Sequence, residues 1–414
     1  MQNPQAAATS VDGTVDSDRL ATVLYQTRSA ARVLSLTSAV QRNQVLQAMG
    51  EAILSHRDQI LEANTLDLEI SREMAVPETV TDWLKLTPER IDRAAQIFHR
   101  LGELGDLPSL GGANAVAVRP RPVGVVALVY ESFPDLAAIA AGLCLRTGNG
   151  LILKGGSESS QTNQTLVTVL HDAIATTDLP PDSLQLIPQD WNEVTRAVLV
   201  QQPALDLVIP YGRPKLVRQV VEQATVPVLP TYIGNCCLCV CPSAAMDTVV
   251  QVILDSHRGD PDAVNRIETV ILAGEFEPVW LSQLWQRLAS VLMLKGTPSL
   301  VRLFNELTVA DEDEWACPSF STTVAFRLTA TLSAALDWMN QQGDHRAASL
   351  CTNLQTDVQQ FVATARGTVL YINSSPRFYR NPSAAADIAL GMSAQIGPVG
   401  LSALTYPQQV VYPH

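Results

Sequence analysis

Apolar residues recur at helical spacing through the first quarter of the chain. In RNQVLQAMGEAILSHRDQILEAN, Val45, Leu46, Met49 and Ile53 fall on one face of a 3.6-residue helix, and residues 19–104 read as helical. The segment LTPERI marks a helix start. Thr87 suits the cap, Pro88 the first turn, where its missing N–H is not needed, and Glu89 the positive end of the dipole. The connection LGELGDLPSLGGAN breaks the pattern with glycine and proline. Residues 1–18 read as a disordered arm.

From residue 122 the texture changes to alternating strands and helices. VGVVALVY (123–130) is apolar throughout, DLAAIAAGLCLRTG follows as a helix ending at Gly148, and LILKGG (151–156) is the next strand. TLVTVLHDAIATT, SLQLIP, a helix near 191–201, LDLVIP, KLVRQVVEQA and VPVLP continue the series. Strands without a polar face predict a parallel sheet covered on both sides by helices. A second series runs from about 236 to 373, with ETVILAG, VLMLKG, SLCT and GTVLYIN as its strands. The expected division is an arm (1–18), an α/β domain with N-terminal helices (19–235, including a hairpin at 105–122), a second α/β domain (236–380) and a tail (381–414).

Composition narrows the function classes. The chain has 414 residues and a net charge of −13, with 17% charged residues against roughly 25% in ordinary soluble proteins. That deficit fits a protein that hides surface in an oligomer. The acidic balance and the lack of a basic run exclude a phosphate-reading nucleic-acid binder. No apolar run approaches the ~18 residues of a membrane span, and the N-terminus carries no secretory signal, so a cytoplasmic protein is expected. Seven cysteines, an odd number without small-scaffold spacing, predict free thiols. In CCLCVC, read as a strand, Cys237, Cys239 and Cys241 share one face and Cys236 takes the other. Ligands do not converge there from two elements, so these read as buried structural cysteines and no metal site is expected.

The run PVGVVALVYESFPDLAAIAAGLCLRTGNGLILKGGSES resembles the γ-glutamyl phosphate reductases of the aldehyde dehydrogenase superfamily. ILEANTLDLE, LKLTPERI, VPVLPTYIG, LYINSSPRF and GPVGLSALT extend the resemblance, in family order, across residues 25–410. It implies an α/β, aldehyde dehydrogenase-like fold: two parallel-sheet domains, the first of cofactor type and the second catalytic, with a small oligomerisation element at 105–122 and the C-terminal segment. It implies NADPH as cofactor and reduction of L-glutamyl 5-phosphate to L-glutamate 5-semialdehyde in proline biosynthesis. In that chemistry a cysteine thiolate expels phosphate and hydride reduces the thioester. Carried over position by position, the cofactor residues are Lys154, Gly155, Gly156, Ser157, Glu158, Gly212, Arg213 and Gly234. Asn265, Asn373 and Arg377 fall on the substrate side. By spacing alone KGG is more often just a strand-ending turn, and the resemblance brings the cofactor reading level with it, while Arg213 is equally a solvent-facing helix start before Pro214.

Departures from the family pattern fall on its chemistry. Val264 stands at the nucleophile position, in a register anchored by Asn265, Glu268 and Thr269. Ser157 replaces a lysine. In IPYGRP, Tyr211 and Arg213 replace an arginine and a glycine, and Thr231 and Tyr232 replace two glycines. Phe133 replaces an arginine. Arg346, Ala347 and Ala348 replace a His-Ser-Asp-like run, with His345 displaced by one and expected at the surface. DIALGMSAQIGPVG is shorter than its counterpart and lacks its Lys, His and Arg. Three readings follow: a working reductase, a silent paralogue that binds a nucleotide or metabolite or associates with an active relative, and an enzyme of changed chemistry. The lost nucleophile favours the second, with a small molecule or nucleotide as ligand and a homo-oligomer as the assembly.

Overall fold

Five helices open the chain in the computed structural model, which describes residues 12–105, 110–111, 116–191, 193–259, 262–343 and 345–411. They are α1 (Asp12–Leu36), α2 (Ala39–Ser55), α3 (Arg57–Glu73), α4 (Glu78–Leu84) and α5 (Pro88–Glu103). The first begins inside the expected arm, so residues 12–18 are helical and not disordered. At α5, the Thr87 side chain accepts from the backbone N–H of Arg90 and Pro88 occupies the first turn, which fixes the helix entry.

After β1 (Leu110–Gly111) and β2 (Val116–Pro122) comes the first parallel sheet. It comprises β3 (Val125–Tyr130), α6 (Pro134–Thr147), β4 (Gly150–Lys154), α7 (Ser160–Ala175), β5 (Leu184–Leu186), α8 (Glu193–Leu199), β6 (Leu207–Tyr211) and α9 (Pro214–Gln223). Its strand order is β5-β4-β3-β6, all parallel. Alternate residues of β3 serve two cores: Val126, Leu128 and Tyr130 pack with α2, α5, α6 and α7, and Val125, Ala127 and Val129 pack with α1 and α9. This two-sided burial is why the strand has no polar face. VPVLP does not form a fifth strand. Pro227 and Pro230 lack the N–H a ladder requires, and only an isolated bridge, Val208 to Val228, remains.

The second sheet holds β7 (Cys236–Val240), α10 (Met246–Ser256), β8 (Ile267–Ala273), α11 (Pro278–Leu288), β9 (Met293–Gly296), α12 (Pro298–Val301), β10 (Thr308–Val309), α13 (Asp313–Ala316), β11 (Thr323–Thr329), α14 (Leu332–Gln342), β12 (Ala347–Cys351), α15 (Gln355–Thr364) and β13 (Val369–Ile372). Its order is β10-β9-β11-β8-β7-β12-β13, again parallel. The sequence pattern missed β11, whose TVAFRLT reads as mixed because of its threonines and Arg327. That guanidinium lies 4.2 Å from the Trp338 ring centroid, where an aromatic face accommodates the charge. On β7, Cys237 and Cys239 pack on one face while Leu238 and Val240 pack on the other.

The C-terminal segment is not one tail. β14 (Ala389–Ser393) and β15 (Gly397–Gly400) form a hairpin whose Leu390 and Val399 join the core of the first domain. The last strand, β16 (Thr405–Val411), pairs antiparallel with β2 in a separate sheet ordered β1-β2-β16. Among the described residues no helix is long and apolar enough to cross a membrane.

Candidate active site

Where α10 ends and β8 begins, the chain turns through Asp262, Ala263 and Val264. Ala263 adopts φ +43°, which costs a residue with a Cβ about 1–2 kcal/mol. Val264 is 2% exposed. Its carbonyl accepts from the Gly234 N–H at 2.9 Å and is within 3.5 Å of an Arg346 guanidinium nitrogen. Arg346 also donates to the carbonyls of Tyr232 and Gly234. This fully buried side chain therefore ties the 232–234 loop to the Val264 turn.

Val264 lines a cleft of about 520 Å³ between the two domains. Its charged walls are Arg90, Arg93, Arg258, Arg377 and Arg380 against Asp135 and Asp262. In a chain of net charge −13 this is a local positive focus, the field that draws an anionic ligand into a cleft. Arg90 is not free to serve such a ligand: it forks onto Asp135 and donates to the carbonyls of Trp83 and Lys85. Burial alone would raise the Asp135 carboxyl, but the Arg90 charge and hydrogen bonds override it and hold it below its usual range. His257 donates through Nε2 to the Ile267 carbonyl at 2.9 Å. Burial and the nearby Arg266 push its imidazole down to about 4, so it lines the cleft as a neutral ring. Among the described residues no cysteine lines this cleft.

Beneath the turn, Glu268 accepts from the N–H of Asn235 and from the N–H and Oγ of Ser319. Burial raises its carboxyl, and those donors and Arg266 oppose the rise, leaving it at about 7. With both oxygens engaged, Glu268 locks loops together and is not directed into the cleft.

A second cleft, about 360 Å³, opens at the C-terminal ends of β3 and β4. Lys154, Gly155, Gly156, Ser157 and Glu158 line it, with Glu131, Trp191 and Arg196. A Cβ at Gly155 would collide with Asn163, and one at Gly156 with Glu158, so both positions present bare backbone. Lys154 donates to the Pro188 carbonyl at 3.1 Å, and burial followed by the Arg196 charge pushes its ammonium below the usual range. Glu158 accepts from the N–H and Oγ of Ser132. Cationic side chains beside side-chain-free backbone suit the phosphate-bearing adenosine end of a dinucleotide.

Aromatic side chains stand between this cleft and the one at Val264. Tyr211, 0% exposed, fills the space between the two clefts and packs edge-on against Phe133, centroids 5.2 Å apart. Phe133 stacks in turn on Trp83 at 4.9 Å. The Tyr211 hydroxyl donates to Asp262, and Arg380 donates to both the tyrosine oxygen and the Asp262 carboxylate. Two positions where the resemblance implies arginine thus carry aromatic rings in contact with each other.

The sequence-derived site residues separate into groups. Val264 and Arg377 share the first cleft, where Arg377 pairs with Asp255 at 3.3 Å. Asn265 lies buried under the turn, its Nδ2 donating to the Pro376 carbonyl at 2.9 Å. Asn373 is not in the cleft: its side chain donates to Thr352 O and accepts from Thr352 N, closing a turn at φ +51°. Gly234 sits against the Val264 turn and not in the nucleotide cleft. Arg213 does not reach for phosphate, because its guanidinium forks onto Glu131, over Gly212 at φ +148°. Asp260 and Pro261 lie outside the described residues. Sequence reasoning missed Arg90, Arg93, Arg258, Arg380, Trp191 and Arg196. Arg90 sits in LKLTPERI, which reads only as a helix start, the others sit in helices or loops without a motif, and only the fold brings them together.

Comparison with known proteins gives the family of the chain. The profile of the aldehyde dehydrogenase family matches residues 7–259. A protein named gamma-glutamyl phosphate reductase 2, from Synechocystis sp., is 38% identical over 405 residues, 95% of this chain and 96% of its own. A gamma-glutamyl phosphate reductase from Gloeobacter violaceus is 31% identical over 93% of this chain and 94% of its own. The crystal structure of gamma-glutamyl phosphate reductase from Thermotoga maritima superposes with a TM-score of 0.87 at 26% identity, covering 95% of this chain and 98% of that one.

Proposed function

Because the chain belongs to the aldehyde dehydrogenase family, and within it to the γ-glutamyl phosphate reductases, we propose that it is a silent member, one that retains the fold and two ligand clefts without the covalent chemistry. Val264 carries this reading. An acyl phosphate is opened by a thiolate because sulfur attacks readily and leaves readily afterward. Valine has no lone pair and no proton to give, and losing a covalent nucleophile costs several orders of magnitude in rate. Cys236 is no substitute, being buried in β7 and absent from the cleft lining.

NADPH is the cofactor the family implies, and when bound it supplies hydride. The residues that would hold its adenosine half are Lys154, Gly155, Gly156, Ser157, Glu158 and Arg196. The arginine-lined cleft at Val264 is suited to a small anionic metabolite, so binding in place of turnover is the role supported, acting within a homo-oligomer or beside a cysteine-bearing relative. The test is denaturing mass spectrometry after exposure to L-glutamyl 5-phosphate generated in situ. The wild-type chain is expected to keep its own mass while a cysteine-bearing reductase gains a glutamyl group. A glutamyl adduct on the wild-type chain would overturn the proposal.

A further inference from the structure

The two clefts share no lining residue, although the chain passes from one to the other twice. Glu131 lines the nucleotide cleft and Asp135 the Val264 cleft, and between them stands Phe133, 1% exposed. Gly212 faces Glu131, while the neighbouring Tyr211 bonds Asp262 on the far side. A Cβ on Gly391 would come within 2.7 Å of the Tyr211 ring, so the C-terminal hairpin backs the tyrosine closely. The Arg380–Asp262 ion pair fastens it. Phe133 and Tyr211 are therefore a wall between the two spaces.

On the nucleotide side, the Arg196 side chain has no hydrogen bond or ion pair among the described residues and lines the same cleft as Lys154. It stands on α8, while Ser157 occupies the position where the resemblance implies lysine. We infer that the chain binds a phosphorylated adenosine through Lys154, Arg196 and the bare backbone of Gly155 and Gly156, and that the Phe133–Tyr211 wall bars whatever that adenosine is joined to from the Val264 cleft. This deepens the reading of the nucleotide cleft given above and rests on it.

The experiment titrates the full chain with 2′,5′-ADP, AMP, NADPH and nicotinamide mononucleotide, by calorimetry. NADPH and 2′,5′-ADP are expected to bind within about threefold of each other, because the nicotinamide half gains no seat, and the mononucleotide is expected not to bind. AMP separates the two phosphate sources: equal affinity assigns the anion contact to the 5′-phosphate and weaker affinity to the 2′-phosphate, and either upholds the inference. Arg196→Ala should weaken 2′,5′-ADP about tenfold, the loss of one charged contact, with Arg196→Lys restoring most of it. A Phe133→Ala/Tyr211→Ala variant should bind NADPH about tenfold tighter than 2′,5′-ADP. Should that variant fail to fold, the wild-type ratio decides alone. NADPH binding more than about tenfold tighter than 2′,5′-ADP to the wild type, or no binding of any adenosine phosphate, overturns the inference. Reductase turnover by the wild type would instead sink the proposal of silence.

Discussion

Asp262 holds the wall in place, and replacing it with asparagine isolates what its charge does. The carboxylate is 3% exposed and accepts from the Tyr211 hydroxyl, from Arg380 Nη1 at 3.0 Å and from Arg380 Nη2. Asparagine keeps the volume and one acceptor oxygen but leaves the Arg380 guanidinium, 13% exposed, without its nearest negative charge. Breaking a buried pair from one side costs about 3–5 kcal/mol, because the surviving charge remains desolvated. The lower end is expected here, since the Asp135 carboxylate also acts favourably on Arg380. Asp262→Asn should therefore cost about 3 kcal/mol. Arg380→Met should cost a similar amount, and the double variant less than the sum, because no charge is then left buried alone. Urea denaturation of the four proteins closes the cycle. An Asp262→Asn loss below about 1 kcal/mol, or strict additivity in the double variant, would refute the argument that the pair is a coupled buried lock.

Other outcomes follow from single sites. Glu268 is raised to about 7 by burial against an unfolded value near 4.5. Its contribution to stability is thus fully present below pH 4.5 and lost as pH rises through 7. Between those limits the wild type should lose about 3 kcal/mol relative to Glu268→Gln, and a difference flat with pH would contradict burial as the cause. Gly212→Ala places a Cβ 2.6 Å from Glu131 Cγ at φ +148°, and should lower stability by about 1–2 kcal/mol in thermal melts. Gly105→Ala, with nothing within 4 Å, should change it by less than about 0.5 kcal/mol. Gly156→Ala should abolish adenosine phosphate binding, since the Cβ drives Glu158 across the cleft, and should cost about 1–3 kcal/mol in thermal melts, because the displaced carboxylate leaves the buried Ser132 N–H and Oγ without their acceptor.

Strands whose residues serve two cores announce themselves, as Val125–Tyr130 does, because both faces must be apolar. The turn at Gly155–Gly156 was equally legible, since only glycine leaves that backbone bare. Strand β11 was not, because the charge of Arg327 is reconciled with a sheet only by the Trp338 ring of the following helix. The cleft charges escaped for the same reason: Arg90, Arg258 and Arg380 belong to different segments, and no spacing links them. Phe133 and Tyr211 could be flagged one by one as departures from a family pattern. That they touch, and together divide one site into two, is a property of the fold.

The most direct test of the central claim is steady-state: phosphate-dependent oxidation of L-glutamate 5-semialdehyde with NADP⁺, read as NADPH absorbance. The wild-type chain would be run beside its Val264→Cys variant and a cysteine-bearing relative. The account predicts no turnover above buffer for the wild type, and none for Val264→Cys alone while the wall stands. Wild-type turnover within about an order of magnitude of the relative, a loss far smaller than a missing nucleophile demands, would contradict it.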